Sequence, residues 1–135
     1  MVARRNAREI LSQSEIAFYK EDILSPSTQY KNSLDLIVSN PPYVLESDQK
    51  TMEDNVLQYE PHLALFVPDS DALRFYKAIL EYAATNLKIG GYVYFEIHEA
   101  YGEEVNVLLN EQGYNKVQIR NDLQGRPRMI CGQRL

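Results

Sequence analysis

The chain has 135 residues, 44% of them hydrophobic and 24% charged, with a formal net charge of −5 and a mean hydropathy of −0.40. That length holds one domain at most, residues 1–135, and no apolar run approaches the roughly 20 residues of a membrane-spanning helix. The acidic balance argues against a broad nucleic-acid surface. The opening Met1-Val2-Ala3-Arg4-Arg5-Asn6 leads into a polar stretch without an apolar core segment, so no secretory signal is expected. Cys131 is the single cysteine and lies in an apolar strand pattern. A packed thiol in a reducing, cytoplasmic setting follows.

Taken in chain order, Ala3, Ala7, Ile10 and Leu11 recur at helical spacing and predict a helix from Val2 to about Gln13. Ile16 to Tyr19 reads as a short strand ending near Lys20-Glu21-Asp22, and Ser25 to Thr28 as a surface loop. Leu34-Asp35-Leu36-Ile37-Val38-Ser39, an apolar run between polar residues and Asn40-Pro41-Pro42, has the pattern of a buried parallel strand. About 30 residues without periodicity follow, a length of loop that is more often functional than idle. Leu73, Tyr76, Leu80, Ala83 and Leu87 then step by three and four, predicting a helix capped by Asp69, Ser70 or Asp71 and stopped by Gly90-Gly91. Tyr92 to Ile97 is the next strand. A helix with acidic Glu99, Glu103 and Glu104 near its start and an apolar face of Val105, Leu108 and Leu109 ends before Gly113. Lys116 to Arg120 and Met129 to Gln133 are the last strands, joined across Asp122-Leu123-Gln124-Gly125 as a hairpin. The order predicts an α/β fold: a mostly parallel sheet with helices on both faces and a C-terminal antiparallel hairpin.

In such sheets ligands sit beyond the carboxyl ends of the strands. Asn40-Pro41-Pro42-Tyr43 occupies that position after the Leu34 to Ser39 strand. Each proline fixes its own φ and disfavours the α region for the residue before it, so the chain leaves the strand extended and stiff. The Asn40 side chain and the Pro41 carbonyl then offer two acceptor oxygens, which can hold both hydrogens of a planar amide or amino group in one orientation. Two acceptors also favour the positive charge that develops on that nitrogen as a methyl group arrives, with no strong general base required. Tyr43 can cover one face of the planar group. The competing reading of the tetrapeptide is a stiff turn.

The tetrapeptide resembles the motif of amino-methyltransferases, and the chain as a whole resembles the HemK/PrmC family of release-factor glutamine methyltransferases. The resemblance rests on segments spread along nearly the whole sequence: Asp35 to Val44, Tyr59-Glu60-Pro61-His62-Leu63-Ala64-Leu65-Phe66, Leu87 to Gly91, Phe95-Glu96-Ile97, and Asp122 to Ile130. It implies part of a Rossmann-like class I fold that binds S-adenosylmethionine and methylates N5 of the glutamine in the Gly-Gly-Gln motif of peptide-chain release factors. On that resemblance Asn40 and Pro41 orient the amide and Tyr43 packs on it, while Pro42, Glu60 and Pro61 shape the substrate side. Asp22 stands where the adenine amino group of the donor is held, with a solvated loop acid or helix cap as the other reading. For Glu60 the other reading is a salt-bridged surface residue.

The sequence departs from the family pattern in two places. His98 and Tyr101 stand where the family usually has a Gly after the Glu-Ile pair and a Gln before a later Gly, leaving Glu96 readable as a strand-end structural carboxylate. His98 has no identifiable catalytic partner, and two histidines and one cysteine provide no metal-ligand spacing. The glycine-rich donor turn and the acidic residue of the second strand are also absent from the sequence, so the resemblance implies the C-terminal part of a catalytic domain. In the family's sheet order 3-2-1-4-5-7-6 this leaves the Leu34 to Ser39 strand with an open edge, and open edges recruit other chains. Two other functions remain: a DNA adenine methyltransferase, which would stack Tyr43 on a flipped base but should carry a basic surface, and an inactive binding or structural module.

Overall fold

The computed structural model describes residues 2–11, 16–51 and 61–135. In chain order its elements are α1 (Val2–Ile10), β1 (Leu34–Ser39), β2 (Val44–Leu45), α2 (His62–Leu65), β3 (Phe66–Val67), α3 (Arg74–Asn86), β4 (Leu87–Glu96), α4 (Gly102–Glu111), β5 (Tyr114–Asn121) and β6 (Pro127–Arg134). Three-ten segments cover Glu46–Thr51, Asp69–Asp71 and Glu99–Tyr101. No described helix is long and apolar enough to cross a membrane.

The apolar run before the double proline forms β1 and pairs in parallel with β4, Leu36 opposite Tyr92 and Ser39 opposite Phe95. On its other side β4 takes β6 antiparallel, Tyr94 opposite Cys131, and β6 pairs antiparallel with β5, Ile119 opposite Ile130. The order is β1-β4-β6-β5, with β2 and β3 as a separate parallel pair. The four-stranded sheet is therefore mixed, which corrects the mostly parallel sheet expected from the order of elements. The parallel pairing spans a connection containing α3, whereas β5 and β6 are joined by a tight turn, which serves antiparallel neighbours.

Side chains alternate along β4, as a strand requires: Val93 and Phe95 are buried and Tyr94 is exposed. Tyr76, Ile79, Leu80 and Ala83 of α3 and Val105, Leu108 and Leu109 of α4 join Val93 and Phe95 in one core. There the Tyr76 ring meets Phe95 edge-on with centroids 5.3 Å apart. The sequence predicts helices on both faces, but among the described residues α3 and α4 share one. On the opposite face Leu36, Val38, Tyr94 and Met129 are 51%, 69%, 41% and 42% exposed. α1 buries no residue and is tied instead to the segment after it, Arg4 Nη2 donating to the Phe18 carbonyl at 3.0 Å.

Four local expectations change. Residues 16–20 form no strand among the described residues; a strand needs a neighbour for its ladder, and the hydrogen bond described for the Phe18 carbonyl comes from a side chain. The first helix ends at Ile10, and Gln13 lies outside the described residues. β4 begins at Leu87 rather than Tyr92, because the glycine pair sits in an irregular stretch of the strand instead of ending the helix. Register shifts between Leu34 and Leu36, Gly90 takes φ +83°, and a Cβ on Gly91 would stand 2.9 Å from Leu87 side-chain carbons and 3.0 Å from the Asp35 carbonyl. Only glycine fits that approach without movement. The aperiodic stretch also acquires structure, since Val44-Leu45 and Phe66-Val67 pair across it.

Candidate functional site

Because Ser39, the last residue of β1, pairs with Phe95 in parallel register, the residue after each, Asn40 and the β4-terminal Glu96, is delivered to the same end of the sheet. Asn40 is exposed, Pro41 buried, and Pro42 and Tyr43 half-buried. Each proline disfavours the α region for the residue before it, and the four residues between β1 and β2 form no regular element. Tyr43 packs against the edge of the core, and its hydroxyl donates to Glu96 Oε1 at 2.6 Å. The Glu96 carbonyl in turn accepts from the Tyr76 hydroxyl at 3.0 Å.

Burial, and after it the hydrogen bond and charge of the Glu96 carboxylate, push the Tyr43 phenol up to about 12, with the Arg128 guanidinium pulling the other way. Tyr43 is thus a neutral O–H donor at physiological pH. The Tyr76 phenol is raised as well, first by burial and then by Tyr43 and Glu96. Arg128 itself pairs with Asp122 (Nε–Oδ2, 3.3 Å) and Glu99 (Nη2–Oε2, 3.7 Å). The His98 ring lies 6.1 Å from that of Tyr43 and 5.6 Å from that of Tyr101. Its Nδ1 accepts from the Ala100 backbone at 3.1 Å, so this histidine caps the short Glu99–Tyr101 segment.

Two cavities meet at Asn40. One, of about 740 Å³, runs along the open edge of β1 and is lined by Asp22, Asn40, Pro41, Pro42, Phe75 and Tyr82 among others. The second, of about 460 Å³, lies on the bare sheet face and includes Asn40, Tyr94, Glu96, Arg120 and Met129. Both are within the size of small-molecule sites. Asp22 reaches the first cavity while its Oδ1 accepts from the Leu24 backbone at 3.0 Å, so the loop-acid reading has a geometric basis too.

The structure thus brings Asp22, Asn40, Pro41 and Pro42 to one cavity, whereas Tyr43, next in sequence, lines neither cavity and packs against the core. Pro61 lines neither cavity; it is exposed and precedes α2, whose Ala64 does reach the first one. Glu60 lies outside the described residues. Sequence reasoning missed Phe75 and Tyr82 as lining residues and left Glu96 without a partner. The sequence placed Glu96 at a strand end, but which residue it meets depends on the Ser39–Phe95 register, which the sequence does not report.

No protein-family model matches the chain. It is 41% identical over 133 residues to the release factor glutamine methyltransferase of Bacteroides thetaiotaomicron, covering 98% of this chain and 47% of that protein. It is 42% identical over 128 residues to the protein so named in Flavobacterium psychrophilum, covering 95% and 44%. The Lactococcus lactis protein of the same name is 35% identical over 130 residues, covering 96% and 46%. The chain therefore spans about half the length of the curated relatives it matches.

Proposed function

This chain belongs to the HemK/PrmC family, and on that premise we propose that it provides the methyl-acceptor side of a protein-glutamine methyltransferase domain, acting on N5 of the glutamine in the Gly-Gly-Gln motif of a peptide-chain release factor. The observation that carries the reading is the stiff Asn40-Pro41 step at the junction of two cavities, backed by Tyr43. In this reading residues 1–135 are the C-terminal part of that domain, in the cytoplasm with its substrate.

The residues of the larger cavity fit the nucleoside end of S-adenosylmethionine: Asp22 offers a carboxylate to an exocyclic amine, and Pro42, Phe75 and Tyr82 offer flat apolar walls. When bound, that donor supplies a methyl group on a positively charged sulfur. The Asn40 side-chain oxygen and the Pro41 carbonyl accept the two hydrogens of the glutamine amide, fixing its plane and turning its nitrogen toward the methyl group. Tyr43 packs against the amide. As the new C–N bond forms and the S–CH3 bond breaks, its electron pair staying on sulfur to leave a neutral thioether, the positive charge passes to the nitrogen, and both acceptors would bind it more strongly than they bound the neutral amide. One amide proton then leaves to solvent. Pro42, with Glu60 and Pro61, shapes the approach of the substrate peptide.

The test is methyl transfer from labelled donor to purified release factor, with Asn40→Ala beside the parent chain. Loss of one of two preorganised polar contacts should slow transfer about a hundredfold or more. Transfer to a DNA oligonucleotide and none to release factor would move the assignment to adenine methylation.

A second reading is favoured by the open edge of β1 and by the bare face carrying Leu36 and Val38. In it the chain acts as a binding or structural module and associates with another chain through that edge.

A further inference from the structure

We propose that Glu96 is a positioning residue for this site: its carboxylate holds the Tyr43 hydroxyl and thereby fixes the ring that backs the acceptor amide. The inference rests on the amide-methylation reading for its consequence, although the contact itself does not.

Glu96 reaches the site through backbone geometry. It closes β4, and the Ser39–Phe95 pairing sets it next to Asn40, so it lines the same groove as Asn40 on the bare face. Its main chain is anchored from the opposite side, where the hydroxyl of buried Tyr76 in α3 donates to the Glu96 carbonyl. A path of rigid contacts therefore runs from the core helix, through the end of β4, to the Tyr43 hydroxyl and ring. The 2.6 Å distance from Tyr43 to Oε1 falls in the range of a charge-assisted O–H···O⁻ bond, about twice as strong as a neutral one.

A merely structural carboxylate at a strand end would be expected to neutralise itself on the nearest cation. Two cations come near: Arg120 lines the same groove as Glu96, and Arg128 reaches the Ile97 carbonyl at 3.5 Å; the ion pairs of Arg128 go to Asp122 and Glu99 instead, and none to Glu96 is found among the described residues. Those pairs hold the guanidinium against the hairpin and leave the Glu96 carboxylate bonded to Tyr43. A tyrosine between two prolines and a short strand has two side-chain torsions to fix, and a ring free to turn about them would back the amide only part of the time. Holding reacting groups in one arrangement is worth large factors in rate, and a displacement of about 1 Å can cost about a hundredfold.

The experiment has two readouts on the same set of chains: the parent, Glu96→Gln, Glu96→Ala, Tyr43→Phe and the Glu96→Ala/Tyr43→Phe double variant. First, carbon-13 tyrosine NMR, with the Tyr43 signal assigned by its loss in Tyr43→Phe, follows the phenol between about pH 8 and pH 11, where an ordinary tyrosine titrates. Tyr43 should stay protonated through most of that range in the parent and titrate at lower pH in Glu96→Gln and Glu96→Ala. A Tyr43 that titrates like a free tyrosine in the parent, or is unmoved by both substitutions, overturns the proposal.

Second, methyl transfer to release factor should fall roughly tenfold in kcat for Glu96→Ala, with partial recovery in Glu96→Gln, whose amide oxygen still accepts from the hydroxyl. Adding Glu96→Ala to Tyr43→Phe should cost nothing further, since the carboxylate acts through a hydroxyl that is already gone. An additional loss in the double variant overturns the positioning role. Parent chains that show the expected titration but transfer no methyl group uphold the Glu96–Tyr43 link and count against the function reading instead.

Discussion

Asp22 and Asn40 line one cavity at the open edge of β1, although one belongs to the irregular segment before the strand and the other to the proline turn after it. If that cavity takes the donor, the two residues divide its recognition. Asp22 would accept from the nucleoside base, and a hydrogen bond to a charged group contributes about 1.5–3 kcal/mol, or roughly ten- to a hundredfold in affinity. Asp22→Ala should weaken donor binding by that factor in calorimetry, whereas Asn40→Ala should weaken it less and act mainly on transfer. Equal binding by parent and Asp22→Ala would return Asp22 to its loop role, capping the Leu24 N–H.

The segment that carries Asp22 is fastened at its far end by one buried polar side chain. Asn86 is 1% exposed; its amide group donates to the Tyr82 carbonyl at 2.8 Å and to Thr85 Oγ1 at 2.9 Å. Its oxygen accepts from the backbone of Tyr30 and of Lys31, the latter at 3.2 Å. Asn86→Leu keeps the volume and orphans two backbone donors, each worth about 1–3 kcal/mol if left unsatisfied. The expected loss in denaturant unfolding is about 2–4 kcal/mol, with faster proteolysis near residues 22–31. Unchanged cleavage there would show that the strap is held by other contacts.

Much of the fold was legible because its elements carry their own signals. The Leu34 to Ser39 run, the three-and-four steps of Tyr76, Leu80 and Ala83, and the Asp122 to Gly125 turn each specify local structure, and a strand, a helix and a hairpin are found there. But the strand expected to be buried has no fully buried residue, and the helix is preceded by Leu73 with no side-chain cap from Asp69, Ser70 or Asp71 and hands over to β4 at Leu87. Ile16 to Tyr19 looked like a strand for the same local reasons and is not one, because strand formation depends on a partner that local sequence does not report. The Val44-Leu45 and Phe66-Val67 pairing is the converse case: two residues are too short for a period, and their partnership is tertiary. Within the site, the position of Asn40 and Pro41 on a stiff step just after β1 could be read from the sequence and proline sterics alone. The Glu96 contact could not, since it depends on the Ser39–Phe95 register.

The bare face of β1 has a consequence for the isolated chain. Among the described residues β1 is paired on one side only, and Val38, at 69% exposure, projects beside the unpaired edge. Strands exposed in this way template pairing with other chains, and lysine on the edge is a usual deterrent. Sedimentation of the parent chain should therefore show concentration-dependent association, reduced in Val38→Lys while circular dichroism stays the same. A parent chain that sediments as a monomer across the concentration range would remove self-association from its properties.

Acid sensitivity should come in part from the hairpin that positions Arg128. The Asp122 carboxylate accepts from the Arg126 backbone at 3.0 Å, the Gln124 backbone at 2.9 Å and Arg128 Nε at 3.3 Å. These bonds, led by that from Arg126, hold its pKa below the usual carboxylate value. A carboxyl group lowered in the folded state stabilises fully above its unfolded pKa, near 3.9, and that contribution is lost as pH falls through the lower folded value. The difference in melting temperature between the parent and Asp122→Asn should accordingly be constant near neutrality and shrink below about pH 4. Glu21, also lowered by its bonds to Thr28 and Ser27, is present in both chains and cancels in the comparison. A gap that persists undiminished into acid would mean that the ionised form of Asp122 does not stabilise the hairpin, and that Arg128 is held mainly by Glu99.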